Sequence, residues 1–302
     1  MGFEPMRTRR STGSQWSKSG FIMVNWGIIR SDFTVYLRSQ RFFEDYVGSL
    51  LRYGDKYLTN NLISEPLDIM RLFAKVQHGI RHLWLTFRII FNYLESVGNV
   101  DSASLVSFRK ALPQPPNFID IKVPDEQAII DSLVKLHKNC PHHEYLALYD
   151  LLLDSGVRLI EAVKAIEQIN SAEEIKDFYR IPLGLFRGSK SAFFVYMSNE
   201  TYQQITRISN RQLDRCRATD YYRRIYRITA PKYLRKFTFD KMLELGLPES
   251  VADFYQGRVP RTVGARHYAN LIRLADKAYP KFERYLAKHA EKSWMTTALI
   301  SG

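Results

Sequence analysis

Pro231-Lys232-Tyr233-Leu234-Arg235-Lys236-Phe237-Thr238-Phe239, followed by Tyr255-Gln256-Gly257-Arg258 and then Arg266-His267-Tyr268, is the stretch on which the reading of this chain turns. It supplies three fixed cations, Lys232, Arg235 and Arg258, and then a tyrosine, Tyr268. A phosphodiester attacked by a phenol needs such surroundings. Negative charge spreads over the non-bridging oxygens in the transition state, and guanidinium forks match that geometry bidentately. A tyrosine can serve as the nucleophile that holds the phosphoryl group covalently. The plainer alternative is a pair of basic amphipathic helices with an ordinary tyrosine.

The stretch resembles the C-terminal signature of the tyrosine recombinases, the phage- and archaeal-integrase family. That signature reads roughly His-x-Leu-Arg-x-x-Phe, then Leu-Gly-His, then a tyrosine in a further helix. Lys232-Tyr233-Leu234-Arg235-Lys236-Phe237 stands for the first box, Gln256-Gly257-Arg258 for the second and Tyr268 for the third. Lys232 replaces the usual histidine, and Arg258 the usual histidine or tryptophan. Both keep a donor, and both look like the archaeal fusellovirus-type integrases.

Upstream, Asp154-Ser155-Gly156-Val157-Arg158-Leu159-Ile160-Glu161 looks like the family's Thr-Gly-Leu-Arg-x-x-Glu box. The resemblance makes Arg158 the first catalytic arginine and gives Glu161 an orienting or capping part. Tyr179 to Phe186 and Ala192 to Met197 read as two strands joined by Gly188-Ser189-Lys190-Ser191. The family places a lysine on this hairpin, which makes Lys190 the candidate acid to the leaving oxygen. Arg187 is the runner-up for a groove contact, its pKa being too high for an acid.

Composition agrees with a polyanionic partner. The chain of 302 residues has a net charge of +13, which favours nucleic acid, with an anionic membrane surface as the alternative. At 45% hydrophobic it has enough apolar residues for two cores. From Thr201 to Asp240 ten Lys/Arg stand against three Asp/Glu, with tyrosines interleaved. Arg207, Arg211, Arg215 and Arg217 read as anchors on DNA phosphates. Tyr221 and Tyr222 are the rival nucleophiles, outside the family position. Cys140 lies near His137, His142 and His143 but lacks a second Cys-rich half for zinc. The only cysteines, Cys140 and Cys216, form no CxxC pair, so the cytoplasm is the expected compartment. No apolar run suits a membrane span.

The expected fold is mainly α with a small antiparallel β-sheet. Residues 1–20 read as a flexible basic arm and 21–115 as a helical core-binding domain. The stiff Leu112-Pro113-Gln114-Pro115-Pro116 marks the boundary to a catalytic domain over 116–302. In the first domain, Asp32 to Leu51 has a helical rhythm broken near Arg38–Arg41, and helices are expected from Pro66, over Ile80 to Ser96 and over Ser102 to Ala111. Arg81, Arg88, Arg109 and Lys110 are its candidate phosphate contacts. In the second, Asp125 is the expected cap of a helix, and Tyr145 to Leu153, Phe237 to Leu245, Glu249 to Tyr255, Thr262 to Ala278 and Lys281 to Lys292 are further helices.

The resemblance implies a site-specific recombinase working through a 3′-phosphotyrosine, with no metal or nucleotide cofactor. It implies double-stranded DNA as partner, a homo-tetramer on DNA and a monomer or dimer when free. Gly2-Phe3-Glu4-Pro5 can be encoded by a sequence like the T-arm of tRNA genes, into which fusellovirus-type integrases insert. A type IB topoisomerase or a non-catalytic DNA-binding protein are the competing readings.

Overall fold

The computed structural model describes residues 22–98, 100, 102–114, 119–187, 190–258 and 270–300. The chain divides into two compact units, Met1–Ile119 and Asp120–Gly302. The expected basic arm, Gly188-Ser189 of the hairpin and the segment carrying Tyr268 lie outside the described residues.

The first unit is a helical bundle of α1 (Trp26–Ser39), α2 (Glu44–Leu58), α3 (Pro66–Ala74), α4 (Ile80–Ser96) and α5 (Ser102–Ala111). The break expected near Arg38–Arg41 is the α1–α2 turn, where Arg41 takes φ 55°. Glu65 and Asp68 form a capping box ahead of α3, with Pro66 in its first turn. In α4, Leu83, Phe87, Ile90, Phe91 and Leu94 recur at helical spacing and are buried. They pack with Phe33, Leu37, Val47 and Leu50 into one core. Arg109, a candidate phosphate contact, is paired with Glu95 on α4; Arg88 lies over the Trp84 ring at 4.8 Å.

The second unit is built around a three-stranded antiparallel sheet of order β1-β2-β3, comprising β1 (Glu173–Ile175), β2 (Phe178–Arg187) and β3 (Lys190–Ser198). Before it come α6 (Glu126–Asn139), α7 (His143–Ser155) and α8 (Leu159–Glu167). After it come α9 (Asn199–Thr206), α10 (Arg215–Asp220), a π-turn over Tyr221–Ile225, α11 (Pro231–Glu244), α12 (Glu249–Tyr255) and α13 (Leu271–Ile300). Alternation along β3 sorts side chains to opposite faces. Val195 and Met197 join the core of α7 and α8, with Leu148, Leu152 and Ile166. Tyr196 turns to a second core with Phe254, Tyr255, Tyr279 and Phe282 from α12 and α13. Arg180 on β2 and the Tyr196 hydroxyl both reach Asp276 of α13, at 2.6 and 2.9 Å.

Several boundaries differ from expectation. The strands run longer, so Lys190 and Ser191 belong to β3, and Lys190 pairs with Arg187 at the end of the ladder. β1 was not expected, three residues being too few to show a period. The helix of the second arginine box begins at Pro231, where the missing N–H of proline costs nothing in a first turn. Pro280 does not separate two helices: it lies inside α13, between Tyr279 and Phe282, both fully buried. That packing holds the helix through a residue that cannot donate to it.

Candidate active site

Gly156 ends α7 with φ 62° and starts the turn into α8. A Cβ there would meet Thr238 Cγ2 at 2.7 Å and Gln256 Nε2 at 2.9 Å, so the turn can approach α11 this closely only as glycine. Two residues on, Arg158 caps α8. Glu161, fully buried, accepts the Arg158 backbone N–H at 2.9 Å and its Nη1 at 2.7 Å. Glu161 therefore both caps the helix and fixes the arginine. Arg158 Nη1 also donates to the Gly257 carbonyl at 3.0 Å.

Arg235 comes from α11. Its Nη1 donates to the carbonyls of Gly156, at 2.9 Å, and Gln256, at 2.6 Å. Gln256 Nε2 donates back to the Arg235 carbonyl at 2.5 Å. The other terminal nitrogen, Nη2, is buried and has no hydrogen-bond partner among the described residues. Burial above all, then the neighbouring Arg158 and Arg258, pull the Arg235 pKa down to about 9, against the opposing pull of Glu161 and Asp253. The group stays protonated at neutral pH, in a place where its charge is costly and an anion would relieve it.

Arg258 completes the cluster. Its backbone N–H donates to the Asp253 carbonyl at 2.9 Å and its Nη1 to the buried Asp253 carboxylate at 3.2 Å, while the guanidinium lies over the Phe239 ring at 4.9 Å. Gly257 has φ 61°, and a Cβ on it would meet Ala192 Cβ at 2.8 Å. The arginine box is thus laid directly against β3, two residues from Lys190. Three guanidinium groups face two carboxylates, Glu161 and Asp253, leaving positive charge in excess. Such an arrangement can hold an oxyanion.

Lys232 is placed differently. It is exposed, 3.2 Å from Asp120 and over the Tyr233 ring at 4.3 Å. Lys236 reaches the same carboxylate at 3.1 Å. These contacts, Lys236 first, hold the Asp120 pKa down at about 2. The Lys232 pKa is raised by Tyr233 and Asp120, which favours its charged form.

Among the anchors proposed from sequence, Arg207 and Arg215 are exposed. Arg211 donates to Asn170 at 2.8 Å, and Arg217 lies over the Tyr221 ring at 5.7 Å. The rival tyrosines are structural. Tyr221 is buried against His142, at 2.9 Å, and Tyr222 donates to the Tyr145 carbonyl at 2.8 Å from a fully buried position. Burial holds the Tyr222 pKa well above its ordinary value, the opposite of what a nucleophile needs. His137 bonds to Asp150 at 3.2 Å, and no group of three or more metal-ligating side chains occurs among the described residues. No described helix is long and apolar enough to cross a membrane.

Sequence reasoning missed the backbone. The carbonyls of Gly156, Gln256 and Gly257 aim the arginines, and the Gln256 side chain clasps Arg235 from the other side. The Gly-x-Arg and Gln-Gly-Arg spacings carried that signal, because glycine is what lets a carbonyl come so close.

A family model described as archaeal phage integrase matches residues 121–285. The integrase from mycobacterium phage Brujita aligns in structure over 85% of this chain and 92% of its own, with 12% identity and a TM-score of 0.41. XerA recombinase aligns over 82% of this chain and 96% of its own, with 14% identity and a TM-score of 0.33. No curated protein matches the sequence.

Proposed function

The chain belongs to the archaeal phage integrase family, whose model spans more than half of it, and from that premise we propose that it is a site-specific DNA recombinase that cuts and rejoins strands through a 3′-phosphotyrosine. The observation that carries the proposal is the clamp on Arg235. One nitrogen is spent on two carbonyls and the other is left buried and unpartnered beside Arg158 and Arg258.

In this reading the scissile phosphate sits among Arg158, Arg235 and Arg258, which take the charge on its non-bridging oxygens. The Tyr268 hydroxyl gives its proton to solvent water as its oxygen attacks phosphorus, and the bond to the 5′ oxygen breaks. Lys190 gives that oxygen its proton, leaving a free 5′-hydroxyl. The bond energy is kept in the phosphotyrosine, so the chemistry calls for no nucleotide. In the second step a 5′-hydroxyl from another duplex attacks phosphorus and returns its proton to Lys190, the tyrosine oxygen leaves and takes a proton from solvent water, and the new strand is sealed. Lys232, charged beside Asp120 and Tyr233, stabilises charge and does not act as the base. Arg207, Arg211, Arg215, Arg217 and Arg187 serve as DNA contacts. Four protomers around two duplexes exchange strands, and the target is tRNA-gene sequence, as the Gly2-Phe3-Glu4-Pro5 opening suggests.

The test is a nicked suicide duplex carrying tRNA-gene sequence, incubated with the protein. The wild type is expected to give a covalent protein–DNA band that Tyr268→Phe abolishes. A band that survives Tyr268→Phe would place the nucleophile elsewhere, and tight binding with no band would remove the catalytic reading.

A further inference from the structure

Beside the start of α11 lies a cleft of about 760 Å3 that the arginine cluster does not share. Four cations line it: Lys122 from the segment before α6, Lys135 from α6, Arg223 from the π-turn and Arg227 from the loop into α11. None of the four is in an ion pair among the described residues. Asp125 and Asp131 also line the cleft, so the four cations exceed the anions by two, and both carboxylates are held by neutral donors. Asp125 caps α6 by accepting the Ala128 N–H at 2.8 Å, and Asp131 accepts from Gln127 at 2.8 Å.

The cations stand on a fixed frame. A single π-turn carries Arg223, closed by the Tyr226 N–H to the Tyr221 carbonyl at 2.8 Å, and Tyr221, Tyr222 and Tyr226 around it are all buried. Arg227 follows with φ 50°, a left-handed conformation that costs a non-glycine residue on the order of 1 kcal/mol. The next residues are pinned. Ile228 N–H donates to the Tyr222 carbonyl at 2.9 Å, Thr229 N–H to Ser132 Oγ at 3.0 Å, and the Tyr149 hydroxyl to the Thr229 carbonyl at 2.9 Å. Arg223 and Arg227 are exposed on this turn, so both are presented to solvent from a backbone anchored on either side of them.

Resting on the recombinase reading above, we propose that this cleft seats the phosphodiester backbone of duplex DNA next to the cleaved bond. The location supports it. Tyr233 lines the cleft and lies between Lys232 and Arg235 on α11, so the cleft and the arginine cluster share one helix. Lys232 and Lys236 stand over the same Tyr233 ring, at 4.3 and 5.5 Å, and extend the basic surface along the helix.

The test is equilibrium binding of a fluorescein-labelled 30-base-pair duplex across a series of NaCl concentrations. It compares the wild type with the double variant Arg223→Ala, Arg227→Asn; asparagine tolerates the left-handed backbone at 227. Each lost phosphate contact lowers the slope of log K against log salt by about 0.9, so the double variant is expected to lose a little under two. A wild type that binds with a steep slope, and a double variant whose slope is unchanged, would overturn the cleft while leaving the recombinase reading intact. A wild type with no salt-dependent binding would remove both. Should the double variant fail to fold by circular dichroism, Lys135→Ala, at an exposed position on α6, reads the same slope and is expected to lose about one contact.

Discussion

At Arg235 a single nitrogen does all the fixing. Nη1 is shared by the Gly156 and Gln256 carbonyls, so Nη2 is held rigidly with nothing to bond. A lysine there has one nitrogen and cannot both bridge the carbonyls and face a phosphate. Arg235→Lys is therefore expected to slow single-turnover cleavage about 10²–10³-fold while changing duplex affinity far less; an equal loss in both would mean that Arg235 only binds. Two carboxyls away from the cluster give a pH dependence. Burial raises the Asp154 pKa to about 6 and, with Asp154 and Glu200 nearby, that of Glu283 to about 7. A carboxyl whose pKa rises on folding holds more protons folded than unfolded, so its contribution to stability falls as pH rises through that window. Unfolding free energy is expected to increase from pH 8 down to pH 5, with Asp154 responsible for about 1–2 kcal/mol of that rise. Denaturant unfolding of the wild type and Asp154→Asn checks this: the variant's profile should be flatter.

Among the elements, those with caps and clean periods were legible in the sequence. The expected bounds of α4, α5 and α12 are the observed ones, since Ile80 to Ser96 has an apolar stripe and Pro248 and Gly257 bracket α12. What was not legible depended on distant partners. Pro280 reads as a helix break until Tyr279 and Phe282 are seen buried on either side of it, and β1 has meaning only through its pairing with β2. The Arg158, Arg235 and Arg258 boxes could be read from spacing, whereas the carbonyl clamp could not, because nothing in a sequence marks which backbone oxygen will face which guanidinium. Gly257→Ala tests the clamp at this scale. It adds a Cβ 2.8 Å from Ala192 Cβ and forces alanine into φ 61°, so a loss of about 2 kcal/mol or more is expected in thermal or denaturant unfolding. The segment before α6 has its own test. Asp120→Asn removes the charge that engages Lys232 and Lys236, and duplex affinity at low salt is expected to rise about two- to fivefold, the upper range of a surface ion pair.

Over the whole molecule, a net charge of +13 is compatible with folding because the two apolar cores of the second unit sandwich the sheet and leave the cations to its surface and clefts. The arrangement also sets an order of events during synthesis. The Gly156 carbonyl cannot hold Arg235, nor Gly257 hold Arg158, until residues 79 and 99 positions apart, respectively, are both present and folded. A nascent chain whose first arginine has left the ribosome, but whose Gln256-Gly257-Arg258 segment is still in the exit tunnel, has no assembled phosphate seat. The same holds for any fragment that ends before residue 256. In the proposed mechanism the clamp would work as an interlock: the residues translated late arm those translated early, and an unfinished copy of this chain would lack the assembled arginine cluster.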